Sequence, residues 1–215
     1  LKTMNCNDLS KMEVPIRAFV ANNTFKIGSG SNATCVYVGV MNDGSEVAVK
    51  RIFKQSGEDS GENENKILSL VDTAKSSSIV NYRHCLQDDI FMYLIVDLCE
   101  ENLKDHIGSQ TFEHLQQHGP RMNREILTGL RFLHEKGILH RDLKPTNILV
   151  DVQGHMRLAD FGISRVLSED ETTVQTDAKG TFGWMPVEVI KAIESGEKSR
   201  FKKKSDIQVA AKRAG

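Results

Sequence analysis

Short apolar runs dominate the first hundred residues, and apolar positions spaced by three and four dominate the rest of the chain. Phe25–Ile27, Thr34–Val40 and Glu46–Ile52 are rich in Val, Ile and Tyr and predict three short strands. Gly28–Ser31 and Asn42-Asp43-Gly44 separate them as turns. A polar loop at Ser56–Gly61 leads to a short predicted helix over Glu62–Val71, with Ile67, Leu68 and Leu70 available for one side. Ile79–Leu86 and Ile90–Val96 flank Asp88-Asp89 as a hairpin. Asn102–Ile107 predicts a short helix. Arg121–Lys136 carries Ile126, Leu127, Leu130 and Leu133 at helical spacing and stops at Gly137, a suitable C-cap. Ile148–Val150 and Met156–Leu158 bracket Asp151–His155 as a second hairpin. Strands gathered first and helices later indicate an α+β chain, with no internal repeat and no low-complexity tract.

Composition narrows the class of function without choosing one. The 215 residues are 39% hydrophobic and 27% charged, as in a globular chain rather than a disordered one. Lys and Arg total 28 against 29 Asp and Glu, so no bulk basic field draws the protein to nucleic acid or an anionic bilayer. Lys198–Lys204 is a basic run that reads as a solvated surface, and no direct nucleic-acid site is expected. No long uncharged apolar run suggests a membrane span, and the first twenty residues lack a signal peptide's apolar core. Cys6, Cys35, Cys85 and Cys99 form no CxxC pair, which favours free thiols in a reducing cytosol over a zinc site or disulfides. A cytoplasmic location is expected.

The chemistry is concentrated in His140-Arg141-Asp142-Leu143-Lys144-Pro145-Thr146-Asn147, followed by Asp160-Phe161-Gly162. Asp160 stands 18 residues after Asp142, with the second predicted hairpin between them. That spacing brings two carboxylates and an amide to one loop edge. Phosphoryl transfer from a nucleotide needs such a set. One carboxylate aligns the attacking hydroxyl and takes its proton, while a second carboxylate and an amide oxygen hold magnesium.

With HRDLKxxN and DFG in order and at this separation, the sequence resembles a eukaryotic-type protein kinase over roughly residues 22–210. Lys144 and Pro145 match the Ser/Thr class rather than the tyrosine class. The resemblance implies a bilobal fold, with a small antiparallel β-rich N-lobe over 22–97 and a mainly α-helical C-lobe from 98 to 215, after an N-terminal extension at 1–21. It implies ATP and Mg2+ as cofactors and a protein substrate. Asp142 would orient the substrate hydroxyl, Lys144 would stabilise the moving phosphoryl group, and Asn147 and Asp160 would hold magnesium. Gly28 and Gly30 lie in a glycine-rich turn whose backbone N–H groups could approach phosphates, although Ala33 replaces the third Gly and Val36 falls one position late. Val47-Ala48-Val49-Lys50 resembles the VAIK strand and puts Lys50 on the phosphates, 22 residues after Gly28. Its acidic partner is expected on the following helix: Glu64, with Glu62 as the alternative. Val36 and Ala48 would cover the adenine from above and Leu149 from below. Val96 would close the back, and Asp97-Leu98-Cys99 would be the hinge.

The activation segment would run from Asp160 to Glu188, with Thr172, Thr173 or Thr176 as a phosphorylation site recruited by Arg141. Pro186 and Val187 stand where Ala and Pro are usual, and the usual arginine partner of Glu188 belongs to later sequence. Asp206 resembles the buried Asp that braces the HRD backbone. Gly30–Gly39, Val47–Ile52, Asp97–Cys99 and Gly180–Trp184 are further similar to the inositol-requiring stress-sensor kinase/endoribonucleases of the unfolded protein response. In that group a ribonuclease domain follows the kinase, and nucleotide-driven dimerisation couples the two. Self-association and autophosphorylation are therefore implied, whereas RNA cleavage is not expected of this chain. Its opening on Leu1 and its stop soon after Asp206 read as a kinase cut short, with an incomplete C-lobe. Two alternatives to an active enzyme stay open: a nucleotide-binding, pseudokinase-like switch, and an inactive fragment.

Overall fold

The computed structural model describes residues 16–19, 21–30, 34–54, 60–168, 171–176, 180–181, 183–196 and 198–211. Cys6, Ser31 to Ala33, most of the Ser56–Gly61 loop, Lys179, Phe182 and the last four residues lie outside these. Contacts gather the chain into two compact units: Leu1–Gly61 with Asn81–Leu98, and Glu62–Val80 with Cys99–Gly215.

The first unit is an antiparallel sheet of six strands: β1 (Ile16–Phe19), β2 (Lys26–Ser29), β3 (Cys35–Met41), β4 (Glu46–Phe53), β5 (Tyr82–Gln87) and β6 (Phe91–Asp97). Their order is β1-β3-β4-β6-β5, with β2 also paired to β3. β1 is an addition to the expected set. Ile16 and Phe19 are too few to register as a pattern, yet they close the core against Tyr37, Met41, Val47, Val49, Leu86, Tyr93 and Ile95. Residues 23–25, expected partly as strand, form a 3-10 turn whose donors Thr24 N and Phe25 N are capped by Asn22 Oδ1. The two-residue period of a strand sorts β4 cleanly. Val47 and Val49 enter the core, and Ala48, Lys50 and Ile52 take the other face. Arg51 returns to the core side, where its guanidinium lies 5.2 Å from the Tyr37 ring centroid and 4.6 Å from that of Phe91.

Two Asp side chains set the turns. Asp43 Oδ1 accepts from Ser45 N and Oγ at 2.9 and 2.6 Å while Gly44 takes φ +88°. Asp88 accepts from Ile90 N, Phe91 N and the Tyr93 hydroxyl. Burial works to raise the Asp88 carboxyl, but those three bonds outweigh it and hold the group below the ordinary carboxylate range.

The second unit carries the helices α1 (Ser60–Leu70, in this unit from Glu62), α2 (Leu103–Ser109), α3 (Phe112–Glu135), α4 (Val187–Ser195) and α5 (Lys203–Ala211). Between them lie short strands: β7 (Glu101–Asn102), β8 (Ile138–Leu139), β9 (Ile148–Val150), β10 (Met156–Leu158), β11 (Arg165–Val166), β12 (Val174–Thr176) and β13 (Ser199–Phe201). They pair as β10-β9-β7, β11-β8 and β12-β13. On α1 the buried stripe is Glu64, Ile67 and Leu68, continued by Val71 just past its end, whereas Leu70 is exposed. Ile79 makes one parallel bridge to Leu158 in place of opening the strand expected from it.

The long helix begins nine residues before its expected start. Thr111 caps it by accepting from His114 N, and it passes through Pro120. Pro120 is exposed, so its ring points to water. The preceding Gly119 has no Cβ to clash with the proline Cδ, the contact that usually ends a helix there. Met122, Ile126, Leu130 and Leu133 form the buried stripe. Gly129 lies on it where nothing larger fits: a Cβ would stand 2.8 Å from Ser78 O and 3.0 Å from Leu158 Cδ1. The end is as expected, with Gly137 at φ +70° just past Lys136. The Asp151–His155 hairpin is fastened to α3 by Arg121 Nη2 on Gly154 O and by Met156 N on Glu125 Oε2, both 2.9 Å.

Candidate functional site

In the second unit, the segment from His140 to Asn147 is held from beneath by one carboxylate. Asp206, near the start of α5 and 1% exposed, accepts from His140 N and Arg141 N at 2.9 Å each. It also pairs with His134 Nε2 at 2.9 Å. These bonds meet the cost of Arg141 at φ +69°, a left-handed backbone that costs a side-chain-bearing residue about 1–2 kcal/mol. Further along, His140 Nε2 lies 3.0 Å from Ala159 O, its ring is 5.2 Å from that of Phe161, and Ser164 Oγ donates to His140 O. The HRD and DFG segments are thereby joined through backbone and ring.

The Asp142 carboxylate is fixed at both oxygens. Thr181 donates to Oδ1 through N and Oγ1, at 3.1 and 2.8 Å. Lys144 Nζ and Asn147 Nδ2 donate to Oδ2, at 2.7 and 3.0 Å. Lys144 Nζ also reaches Thr181 Oγ1 at 2.7 Å, and Asn147 Nδ2 reaches Asp142 O at 2.9 Å. The Asn147 amide therefore spends its nitrogen on Asp142, which leaves its oxygen as the atom able to meet a cation. Thr181 is the member sequence reasoning missed. It sits in Gly180–Trp184, a stretch singled out only for resemblance, and nothing local signals a bond to a residue 39 positions away.

Among the described residues, Asp160 is the other non-glycine residue at positive φ, +63°. The next residue is held on both sides by α1: Phe161 N donates to Glu64 Oε1 at 3.3 Å, and Asn63 Nδ2 donates to Phe161 O. Glu64 is 4% exposed, whereas Glu62, the alternative acid, is exposed.

Within the first unit, Lys50 sits opposite Val36 on one side and Leu94 on the other, and Ala48 opposite Val38 and Val96. Paired residues share a face, so Val36, Ala48, Lys50 and Val96 lie together on the face opposite the core. Gly28 pairs with Val36, and Gly30 N donates to Thr34 O at 2.9 Å. Asp97 ends β6 with its side chain bonded to Arg83 Nε and its N–H to Asn81 O. In the second unit Leu149 stands on β9, opposite Arg157 and Asn102, and Cys99 precedes β7.

Thr172 and Thr173 are exposed. Arg141 is 7% exposed with its guanidinium 5.9 Å from the Phe201 ring centroid. Burial, then the like charge of Arg165, push its pKa below the usual arginine value, against the pull of Asp206. Glu188 accepts from the buried Ser205 hydroxyl at the start of α5. Among the described residues, no helix is long and apolar enough to cross a membrane.

The model of the protein kinase domain matches residues 22–208. Among curated proteins, the chain is 33% identical over 182 residues to LEAF RUST 10 disease-resistance locus receptor-like protein kinase-like 1.4 of Arabidopsis thaliana, covering 83% of this chain and 27% of the relative. It is 32% identical over 187 residues to the serine/threonine-protein kinase/endoribonuclease IRE1 of Oryza sativa subsp. japonica, covering 77% and 20%. It is 34% identical over 176 residues to mitogen-activated protein kinase kinase kinase 1 of Arabidopsis thaliana, covering 79% and 28%. The chain thus spans about a fifth to just over a quarter of the length of these relatives.

Proposed function

The chain belongs to the protein kinase domain family, and from that premise we propose that it transfers the γ-phosphate of Mg-ATP to a serine or threonine hydroxyl of a protein. One observation carries the reading: the Asp142 carboxylate is clamped by Thr181, Lys144 and Asn147. A base must be aimed at the proton it takes, and a carboxylate bonded at both oxygens is aimed before substrate arrives. In this reading Asp142 orients the attacking hydroxyl and accepts its proton. Lys144 already bridges Asp142 and Thr181 and places a cation where phosphoryl charge would pass. The oxygens of Asp160 and Asn147 suit a hard cation that keeps water and phosphate as its other ligands, as magnesium does. Magnesium, when bound, neutralises phosphate charge. Within the first unit, Lys50 and the Gly28–Gly30 backbone are the groups suited to phosphates, and Val36 and Ala48, on the same sheet face as Lys50, those suited to the base. Glu64 anchors the turn after Asp160. Exposed Thr172 and Thr173 make the chain a candidate for its own phosphorylation.

The test is phosphate transfer from labelled ATP to the chain itself and to a generic protein substrate. Asp142→Asn keeps the shape and removes the base, so transfer is expected to fall by about 10²–10⁴-fold. Mass spectrometry of the product is expected to find phosphate on Thr172 or Thr173. A melting point that rises with Mg-ATP while no phosphate moves would replace the enzyme with a nucleotide-binding switch. Transfer that survives Asp142→Asn would remove the mechanism.

A further inference from the structure

Two consecutive side chains of α1 grip the turn that carries Asp160. Glu64 Oε1 accepts from Phe161 N at 3.3 Å. Asn63 Nδ2 faces three carbonyl oxygens at once: Phe161 O at 3.3 Å, Gly162 O at 3.1 Å and Ser164 O at 2.9 Å. An amide nitrogen has two hydrogens, so at least one of them is shared. Phe161 therefore has both its N–H and its C=O taken by the helix. The residue before it, Asp160, is a carboxylate at φ +63°, a backbone that persists only when its surroundings over-determine it. Asn63 holds the carbonyls of three of the four residues that follow Asp160. It lies half-buried beside the stripe of Glu64, Ile67, Leu68 and Val71, on the same side of the two-unit division as the turn.

We propose that Asn63 is a positioning residue for Asp160: its side-chain amide, bonded to the carbonyls of Phe161, Gly162 and Ser164, holds the Asp160 turn in the conformation that presents the carboxylate to a divalent cation. The proposal rests on Asp160 being the magnesium-holding carboxylate. It deepens that reading by making the residue before Glu64 a determinant of metal affinity, through backbone carbonyls and without contact to metal or nucleotide. The chemistry is asymmetric. Three carbonyl oxygens accept a donor and reject an acceptor. Asn63→Asp, of nearly the same shape, therefore breaks the grip, and Asn63→Leu keeps volume while removing both hydrogens.

The experiment measures the melting point of the 215-residue chain with adenosine, and with ADP across a range of Mg2+ concentrations. Adenosine carries no phosphate and needs no metal, so its shift reports the fold and the base site. The Mg2+ concentration giving half the ADP shift reports the carboxylate. Asn63→Asp and Asn63→Leu are expected to keep the adenosine shift and to raise the half-saturating Mg2+ by about tenfold or more, the range seen when partners that orient metal ligands are removed. Asn63→Gln, which restores the donor on a longer stem, is expected to fall between them and wild type. Wild-type magnesium dependence in Asn63→Asp would overturn the proposal and leave the kinase reading intact. Loss of the adenosine shift in both Asp and Leu variants would overturn it in favour of a role in folding. A wild-type chain whose ADP shift ignores Mg2+ would remove the reading of Asp160, and this proposal with it.

Discussion

Asp151 shows how one side chain can organise a local structure and tie it to pH. Its Oδ1 accepts from Gln153 N and His155 N at 3.0 and 2.9 Å, and its Oδ2 from Arg157 Nε at 2.8 Å. Burial alone would raise this carboxyl. The backbone bond from His155, then the Arg157 bond and charge, bring it below the ordinary carboxylate value. A depressed folded pKa contributes stability that is present above the unfolded value and lost as pH falls through the folded one. Asp151→Asn is expected to cost about 1–3 kcal/mol at neutral pH in urea unfolding. It should also flatten the part of the acid-side stability loss that belongs to this group. An unchanged acid limb would show that the bonds from His155, Gln153 and Arg157 do not hold this carboxyl low in the folded chain. At this scale the sequence was legible wherever a residue's role is local, as at Asp43, Asp151 and Gly137. It was silent where the partner is remote, as for Thr181 on Asp142 or Asn63 on the Asp160 turn.

Among the elements, α3 separates local propensity from tertiary context. Gly119-Pro120 argues for a break, and the periodic apolar pattern begins only after it. The helix nonetheless starts at Phe112, because the proline faces water and the glycine before it removes the steric clash. A later glycine of the same helix has a different reason. Gly129→Ala should raise helix propensity, but the new Cβ would stand 2.8 Å from Ser78 O, a backbone atom that cannot rotate away. The expected result is a net loss of about 1–3 kcal/mol in denaturant unfolding. Gly108→Ala in α2, where a Cβ would meet nothing within 4 Å, is expected to stabilise by about 0.5 kcal/mol. Equal effects at the two sites would mean that backbone entropy, not packing, governs both. Strands β3, β4 and β6 were readable because Val, Ile and Tyr alternate over a half-buried sheet. β1, β8 and β11 were not, since two to four residues carry no period and, unlike β9 and β10, they do not flank a short turn.

For the whole molecule, connectivity matters more than the count of elements. The first unit is not one stretch of chain: residues 62–80 leave it before β5 and β6 complete it. β4 is central, pairing with β3 on one edge and with β6, from Val47–Asp97 to Phe53–Phe91, on the other. A fragment ending at Gly61 would expose that second edge and lose Leu86, Tyr93 and Ile95 from the core. It is expected to show no cooperative thermal transition by circular dichroism, and a sharp transition would disprove the need for β6. By itself the sequence determined the family and the α+β order of elements, and it singled out the carboxylates, lysines and amide proposed for the site. Phosphoryl-transfer chemistry confines those residue types to fixed spacings within short segments. Only the tertiary structure decided what holds them. Asp206 lies 65 residues from Arg141, Thr181 lies 39 from Asp142 and Asn63 lies 98 from Phe161. A hydrogen bond across such distances leaves no periodicity in the chain; it exists only once burial has brought donor and acceptor together and made leaving either unpaired costly.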